Sequence, residues 1–515
     1  MTPRGKDLLF SGLPVFAVML ASAAGDGPTT SPGVRSEVNL PAPASALEIP
    51  RADRFHRDGE PETLAVSARS LIPIAFNQLP DIKSSYHRFR SEEARYDFFY
   101  TSRDSLTPRL RLSNRYGENR DPADVLRTRK HGIELGVEKL FFDTTELDMA
   151  VGFEAEGLNE AHGNQPFAAA TLRYPLWVSR QKLERTSEEI FRRNELNDAQ
   201  LAYIQTVRER LERMLFRFYE VVDQQRRLGY LRSWLADLQS LYTGVEVWTV
   251  PNQATDRHRL AAEIARATAE VRNLTGRHEI DRERLKAQSG IPFHVGIELV
   301  DEPFNPFVGM EHAVLFRLSI ETDPEIATLR NAEQNARVQL DLARRGRWDL
   351  SLLLSGESNL DGGGERDGQS DWAVSVGLDV SVVDPRVTDS LIRQSESNIA
   401  RFTQAIAERE NQVFVDTLEP LVRIETLGQS RDELIENLPR YQTDYDTGVG
   451  AYRLGQLNID DLLKRRETLL QQQQAISDLR FLVGANVAEL CSATGKFFEL
   501  LNGEGQGRTG DGPGD

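Results

Sequence analysis

Apolar positions recur along this chain with two periods, seven over long stretches and two over short ones. The longest unbroken register is Leu462, Leu469, Ile476, Val483 and Leu490, which marks the seam of a coiled-coil helix rather than the broader stripe of a globular one. This helix climbs away from a glycine-punctuated tip at Gly448, Gly450 and Gly455, and an apolar-periodic helix from Pro385 to Asp446 descends to the same tip. The pair reads as a helical hairpin. A second hairpin lies upstream: Ile204, Leu211 and Phe218, then Leu228, Leu231, Leu235, Leu238 and Tyr242, lead to LYTGVEVWTVPNQATD at Leu241–Asp256. Leu260, Ile264, Ala267, Val271 and Leu274 lead away from it.

Period two governs six short segments. They are PRLRLSN from Pro108, GIELGVEK from Gly132, ELDMAVGFE from Glu146, FAAATLRY from Phe167, DLSLLLSGES from Asp349 and DWAVSVGLDVSV from Asp371. In the last, Trp372, Val374, Val376, Leu378, Val380 and Val382 alternate with Ala, Ser, Gly, Asp and Ser. That length and alternation suit a tilted transmembrane β-strand, and equally a half-buried strand of a soluble sheet.

The order of elements occurs twice. Gly244 answers Gly448 and Gly290 answers Gly495 at offsets one residue apart, while LPDIKSSYHRFRSEEARYDF from Leu79 resembles DPEIATLRNAEQNARVQLDL from Asp323 at a larger offset. The difference leaves the first copy roughly 39 residues longer, room for one extra strand hairpin, placed at Gly132 to Glu154 with its turn at Asp143-Thr144-Thr145. The expected organisation is a signal peptide at 1–23, a disordered lead-in at 24–62, a first repeat at 63–290 and an extended Pro- and Phe-rich linker at 291–323. A second repeat follows at 324–501, then a disordered tail at 502–515. Strands occupy about 108–174 and hairpin helices 177–289 in the first repeat, and 349–382 and 385–494 in the second.

Composition narrows the function. The formal charge of −17 and pI near 5.2 offer no basic stripe for nucleic acid. The 8 histidines hold no metal-ligand spacing, the single cysteine, Cys491, reads as a buried small hydrophobe, and no phosphate-cradling loop or nucleophile motif is present; Asp361-Gly362-Gly363-Gly364 reads as a surface turn. The expectation is therefore no enzyme and no cofactor. Arg4 and Lys6, the apolar run Leu8 to Leu20 and Ala21-Ser22-Ala23 form a secretory signal. No other stretch suits a spanning helix, so membrane insertion must use strands. Four to six strands cannot close a barrel, and open edges are forbidden in lipid, so several chains must share one.

The duplicated order of helix, strands, long helix, tip and return helix, with TGVGAYRLGQLNIDDLL at Thr447 to Leu463 as its most specific segment, resembles the outer-membrane efflux protein family, the TolC-like channel tunnels. The likeness extends from about Leu79 to Leu501. It implies an α+β membrane protein, with a long periplasmic helical coiled-coil barrel joined to a transmembrane β-barrel shared between protomers. It further implies a homotrimer, a 12-stranded barrel in outer-membrane lipid, a periplasmic membrane-fusion adaptor and an inner-membrane pump. The function implied is passive conduction in a tripartite efflux or type I secretion system; the alternative is a periplasmic coiled-coil adaptor or scaffold without a pore. The extra hairpin departs from the plainest members. On this likeness the adaptor meets Gly448, Arg453, Leu454 and Gly455, while Asp460 and Asp461 form an acidic constriction together with Tyr452 and Asp256. Asp460 and Asp461 also suit a helix N-terminus capped by Asn458. Asp256 matches an aspartate that the family bonds to an arginine; that position here is Leu457, which leaves Arg453 as the substitute.

Overall fold

The computed structural model describes residues 63–104, 107–121, 124–140, 145–156, 165–176, 180–245, 248, 253–359 and 371–506. The expected signal peptide, the lead-in, the turn residues 143 and 144, and the loop 361–364 lie outside them. In chain order the elements are β1 (Thr63–Val66), α1 (Ala68–Gln78), α2 (Pro80–Asp104), β2 (Thr107–Asp121), β3 (Asp124–Leu140), β4 (Glu146–Glu156), β5 (Gln165–Pro175) and α3 (Arg180–Gly244). Then come α4 (Gln253–Ser289), β6 (Gly296–Leu299), α5 (His312–Thr322), α6 (Pro324–Arg345), β7 (Trp348–Asn359) and β8 (Asp371–Val382). The chain ends with α7 (Pro385–Arg453), α8 (Ile459–Thr494) and α9 (Lys496–Gln506).

Local chemistry sets several helix starts. Asp323 caps α6 by accepting from the Ile326 N–H at 2.8 Å, and Asp384 caps α7 by accepting from Arg386; a proline follows each cap, where its missing N–H costs nothing. Gly495 ends α8 in the left-handed conformation, φ 68°. The two long helices, α3 of 65 and α7 of 69 residues, each run about 100 Å at 1.5 Å per residue.

Each long helix lies beside two shorter ones. Along α7, Arg344 meets Glu396 at 2.7 Å and Arg330 meets Glu410 at 3.2 Å from α6, and Arg465 of α8 meets Asp444 at 2.7 Å farther down. These exposed pairs contribute little; the apolar seam holds the helices. Leu462, Leu469, Ile476 and Leu490 of the predicted heptad are buried, and Val483 is half-buried. α8 also crosses α3, where Gly484 is required by close packing: a Cβ there would stand 2.6 Å from the Tyr219 ring.

Four expectations are corrected. The segment 291–323 is not simply extended: β6 pairs in parallel with β1, and α5 buries Leu315 and Ser319. α7 continues seven residues past Asp446, through Gly448 and Gly450, to Arg453. β3 begins at Asp124, well before Gly132, because it pairs with the whole of β2. The expected tail begins inside α9, which reaches Gln506.

The other sheet has six antiparallel strands in the order β2-β3-β4-β5-β7-β8. Both repeats thus contribute to one sheet, joined where β5 meets β7.

Candidate functional site

Two places carry the chemistry of this fold, the strand sheet and the hairpin tips. Because side chains alternate across a strand, the register assigns each residue to a face. One face is largely apolar: Leu110 stands beside Leu135 and Val151, Leu112 beside Ile133, and Leu172 beside Leu354 and Val376. Trp372, Val374, Val376, Leu378, Val380 and Val382 continue it along β8, and all six are exposed, Trp372 at 75%. An unburied apolar face of this extent belongs against an apolar phase or a partner. The opposite face is polar and internally paired. Arg109 reaches Glu134 at 2.8 Å and Asp148 at 3.2 Å, Arg173 reaches Asp379 at 2.6 Å, and the Ser355 and Ser375 hydroxyls meet at 2.5 Å.

Among the described residues, no helix is long and apolar enough to cross a membrane, and no cluster of His, Cys, Asp or Glu has the arrangement of a metal site.

At the second tip the turn is made by Leu454 to Leu457, with Gly455 at φ 70°, a conformation that L side chains adopt only under strain. Gly448 lies about two helical turns above, packed so that an added Cβ would fall 3.3 Å from Leu462 Cδ1. Tyr452 is completely buried, and its hydroxyl donates to Asp256 Oδ2 at 3.0 Å in the first turn of α4. Burial, then the bond to Asp256, holds that phenol well above its ordinary range. This bond joins the two hairpin tips of one chain. Trp248 stands edge-on to the Tyr452 ring at 6.1 Å, and the Arg453 guanidinium lies 4.8 Å above Trp248. Arg453 therefore stacks on an indole, and the partner of Asp256 is the tyrosine beside it. Leu454 is 71% exposed at the extreme end.

Asp460 and Asp461 have different surroundings. Asp460 forms an ion pair with Arg259 of α4. Asp461 sits in the cap of α8: its N–H donates to Asn458 Oδ1 at 2.8 Å, and Asn458 Nδ2 donates to its carboxylate at 2.7 Å. Its charge is exposed, with Lys464 at 3.6 Å.

A third cluster went unread in the sequence. Arg466 lies on the buried face of α8 with its side chain 3% exposed, bonded to Asp237 of α3 at 2.8 Å and set between the rings of Trp234 at 5.4 Å and Tyr445 at 5.1 Å. Burial raises the Asp237 carboxyl despite the attraction of Arg466, with Asp446 adding to the rise. Burial, then the charge of Asp237, pushes the Tyr445 phenol up to about 12. The signal was an arginine four residues after Leu462 and three before Leu469, inside the apolar stripe.

No family model and no curated protein matches the chain. Solved structures do. The Campylobacter jejuni CmeC outer membrane channel aligns at 12% identity and TM-score 0.58, covering 83% of this chain and 85% of that one. CusC, in a structure describing transmembrane channel formation, aligns at 13% and 0.61, covering 85% and 95%. The open state of the Neisseria gonorrhoeae MtrE outer membrane channel aligns at 14% and 0.58, covering 83% and 88%. The chain has the fold of these outer-membrane channels.

Proposed function

We propose that this chain is the outer-membrane channel of a tripartite efflux or type I secretion system. Three copies would pass substrates from an inner-membrane pump through a periplasmic helical tunnel and a shared β-barrel. The observation that carries this reading is the largely apolar face of the six-stranded sheet, which runs from Leu110 on β2 to Val382 on β8, is most exposed on β2, β3 and β8, and is backed by a polar, ion-paired face. Apolar outside and polar inside is the pattern of a barrel in lipid, and a soluble scaffold has no use for it. Helices of about 100 Å below the sheet supply a conduit long enough for a periplasm. No step on the chain needs an energy source, so the direction of transport would come from the pump, and the adaptor would dock at Leu454, Gly455 and Arg453.

The reading is tested by the oligomeric mass and single-channel conductance of the detergent-extracted protein in a planar bilayer. A trimer carrying small currents is expected; a monomer without currents overturns the reading.

In the closed tunnel three copies of Asp461, and the Asp460–Arg259 pairs beside them, ring the narrow end. Converging carboxylates concentrate cations and repel anions. The Asp460→Ala, Asp461→Ala double variant is expected to bring the cation-to-anion permeability ratio close to unity and to abolish block by multivalent cations. Unchanged selectivity removes these residues from the gate.

Closure within each chain would depend on the Tyr452–Asp256 bond. Tyr452→Phe keeps the ring and leaves a buried carboxylate without its donor, a loss of about 2 kcal/mol from the closed tip, or roughly 30-fold in the open-to-closed ratio. Open probability in the bilayer reads this directly, and an unaltered value shows that the lock lies elsewhere.

A further inference from the structure

We infer that the β2–β3 hairpin is part of the membrane wall, so that three copies close an eighteen-stranded barrel by pairing β8 of one copy with β2 of the next. This deepens the channel reading and rests on it. The resemblance to channel tunnels implies four strands from each chain; here six are hydrogen-bonded in one sheet with β2 and β8 at its edges.

Three observations place the hairpin in the wall. The β3–β4 ladder is continuous, from Lys130 opposite Glu156 to Leu140 opposite Glu146. The apolar face continues without a step across it: Leu110 and Leu135 extend the row of Val151, and Leu110, Leu112, Ile133 and Leu135 are each more than half exposed. A hairpin folded away from the wall would offer these side chains to water. On the polar face, Arg109 of β2 passes over β3 to reach Asp148 of β4, as Arg173 of β5 passes over β7 to reach Asp379 of β8. Gly136, opposite Arg109 on β3, leaves the path clear. The same cross-strand clamp thus secures both edges of the sheet.

Geometry permits closure. An even number of antiparallel strands leaves β2 and β8 running in opposite senses, so they can pair antiparallel between copies. Strands about 4.8 Å apart and tilted by about 40° each occupy about 6 Å of circumference, so six span about 38 Å. The four helices that adjoin the sheet, α2, α3, α6 and α7, at about 9 Å apart span about 36 Å, so sheet and tunnel are about equally wide. Both edges are left unpaired within one chain, which lipid does not tolerate.

The test is disulfide formation in full-length protein in outer membranes. Cysteine at Leu112 is combined in turn with cysteine at Val374, Val376, Leu378 and Val380, so that one pair meets the unknown register between copies. A parallel series uses Val151 of β4 in place of Leu112. The native Cys491 is fully buried and gives a silent background. The inference expects oxidised dimers and trimers on denaturing gels in the Leu112 series only. Cross-linking in the Val151 series would make β4 the edge and overturn the eighteen-stranded wall while leaving the shared barrel standing. Conducting oligomers without cross-links in either series overturn the shared β2–β8 edge. Monomers without conductance overturn the channel reading as well.

Discussion

Val376→Arg is expected to abolish assembly in the outer membrane, whereas Ser375→Arg, one residue away, is expected to assemble normally and change only the currents. Val376 lies midway along β8, 67% exposed on the apolar face, beside Leu354. An arginine on the lipid face of a barrel near the bilayer midplane costs about 2–4 kcal/mol. Three copies multiply this to about 6–12 kcal/mol per trimer, comparable with the whole stability of an ordinary domain. Ser375 belongs to the opposite face, where its hydroxyl meets Ser355 and where Arg109 and Arg173 already sit in ion pairs. A further arginine there meets water and carboxylates. The two variants are compared by the amount of heat-modifiable oligomer in outer-membrane fractions. Equal assembly would mean that the apolar face does not meet lipid.

That contrast could be drawn from the alternation at Trp372 to Val382 alone, and much of the architecture was similarly legible. Heptads at Leu462 to Leu490 announced α8, capped by Asn458 and closed at Gly495, because coiled-coil spacing and cap chemistry are local properties. Tertiary contacts decided the parts that were misread. Gly448 and Gly450 weaken a helix by propensity, yet α7 continues through them, and Gly448 lets Leu462 and Arg465 of α8 approach closely. The start of β3 is dense in charge, and its strand form follows from pairing with β2. α5 was hidden in a Pro- and Phe-rich stretch because its helical face is only 11 residues long. At the tip, the acidic pair was visible, but Arg259 lies some two hundred residues earlier, and nothing local couples it to Asp460. Tyr452 and Asp256 were both singled out, while the bond between them and the stacking of Arg453 on Trp248 needed the fold.

Arg466→Ala is expected to unfasten the tip while leaving the barrel assembled. The guanidinium lies between Trp234 and Tyr445 and bonds to Asp237, so it ties the tip half of α8 to both long helices. Truncation removes two desolvated cation–π contacts and strands a half-buried carboxylate whose neutralising partner is gone. Losing one member of a fully buried pair costs about 3–5 kcal/mol, and the 38% exposure of Asp237 places this case at the lower end, about 3 kcal/mol. If the cluster holds the closed state, that loss corresponds to roughly a hundredfold shift toward open tips. Lysine should fail to restore closure, because an ammonium cannot stack between two rings as a planar guanidinium does. The sheet lies at the other end of α7 and α3, so oligomers should form in normal yield and show larger single-channel conductance. Combining Arg466→Ala with Trp234→Leu separates gating from general stability: losses smaller than additive identify a shared contact. Normal conductance with a lowered melting temperature would reduce Arg466 to a packing residue. Normal values of both would show that the cluster does not hold the tip.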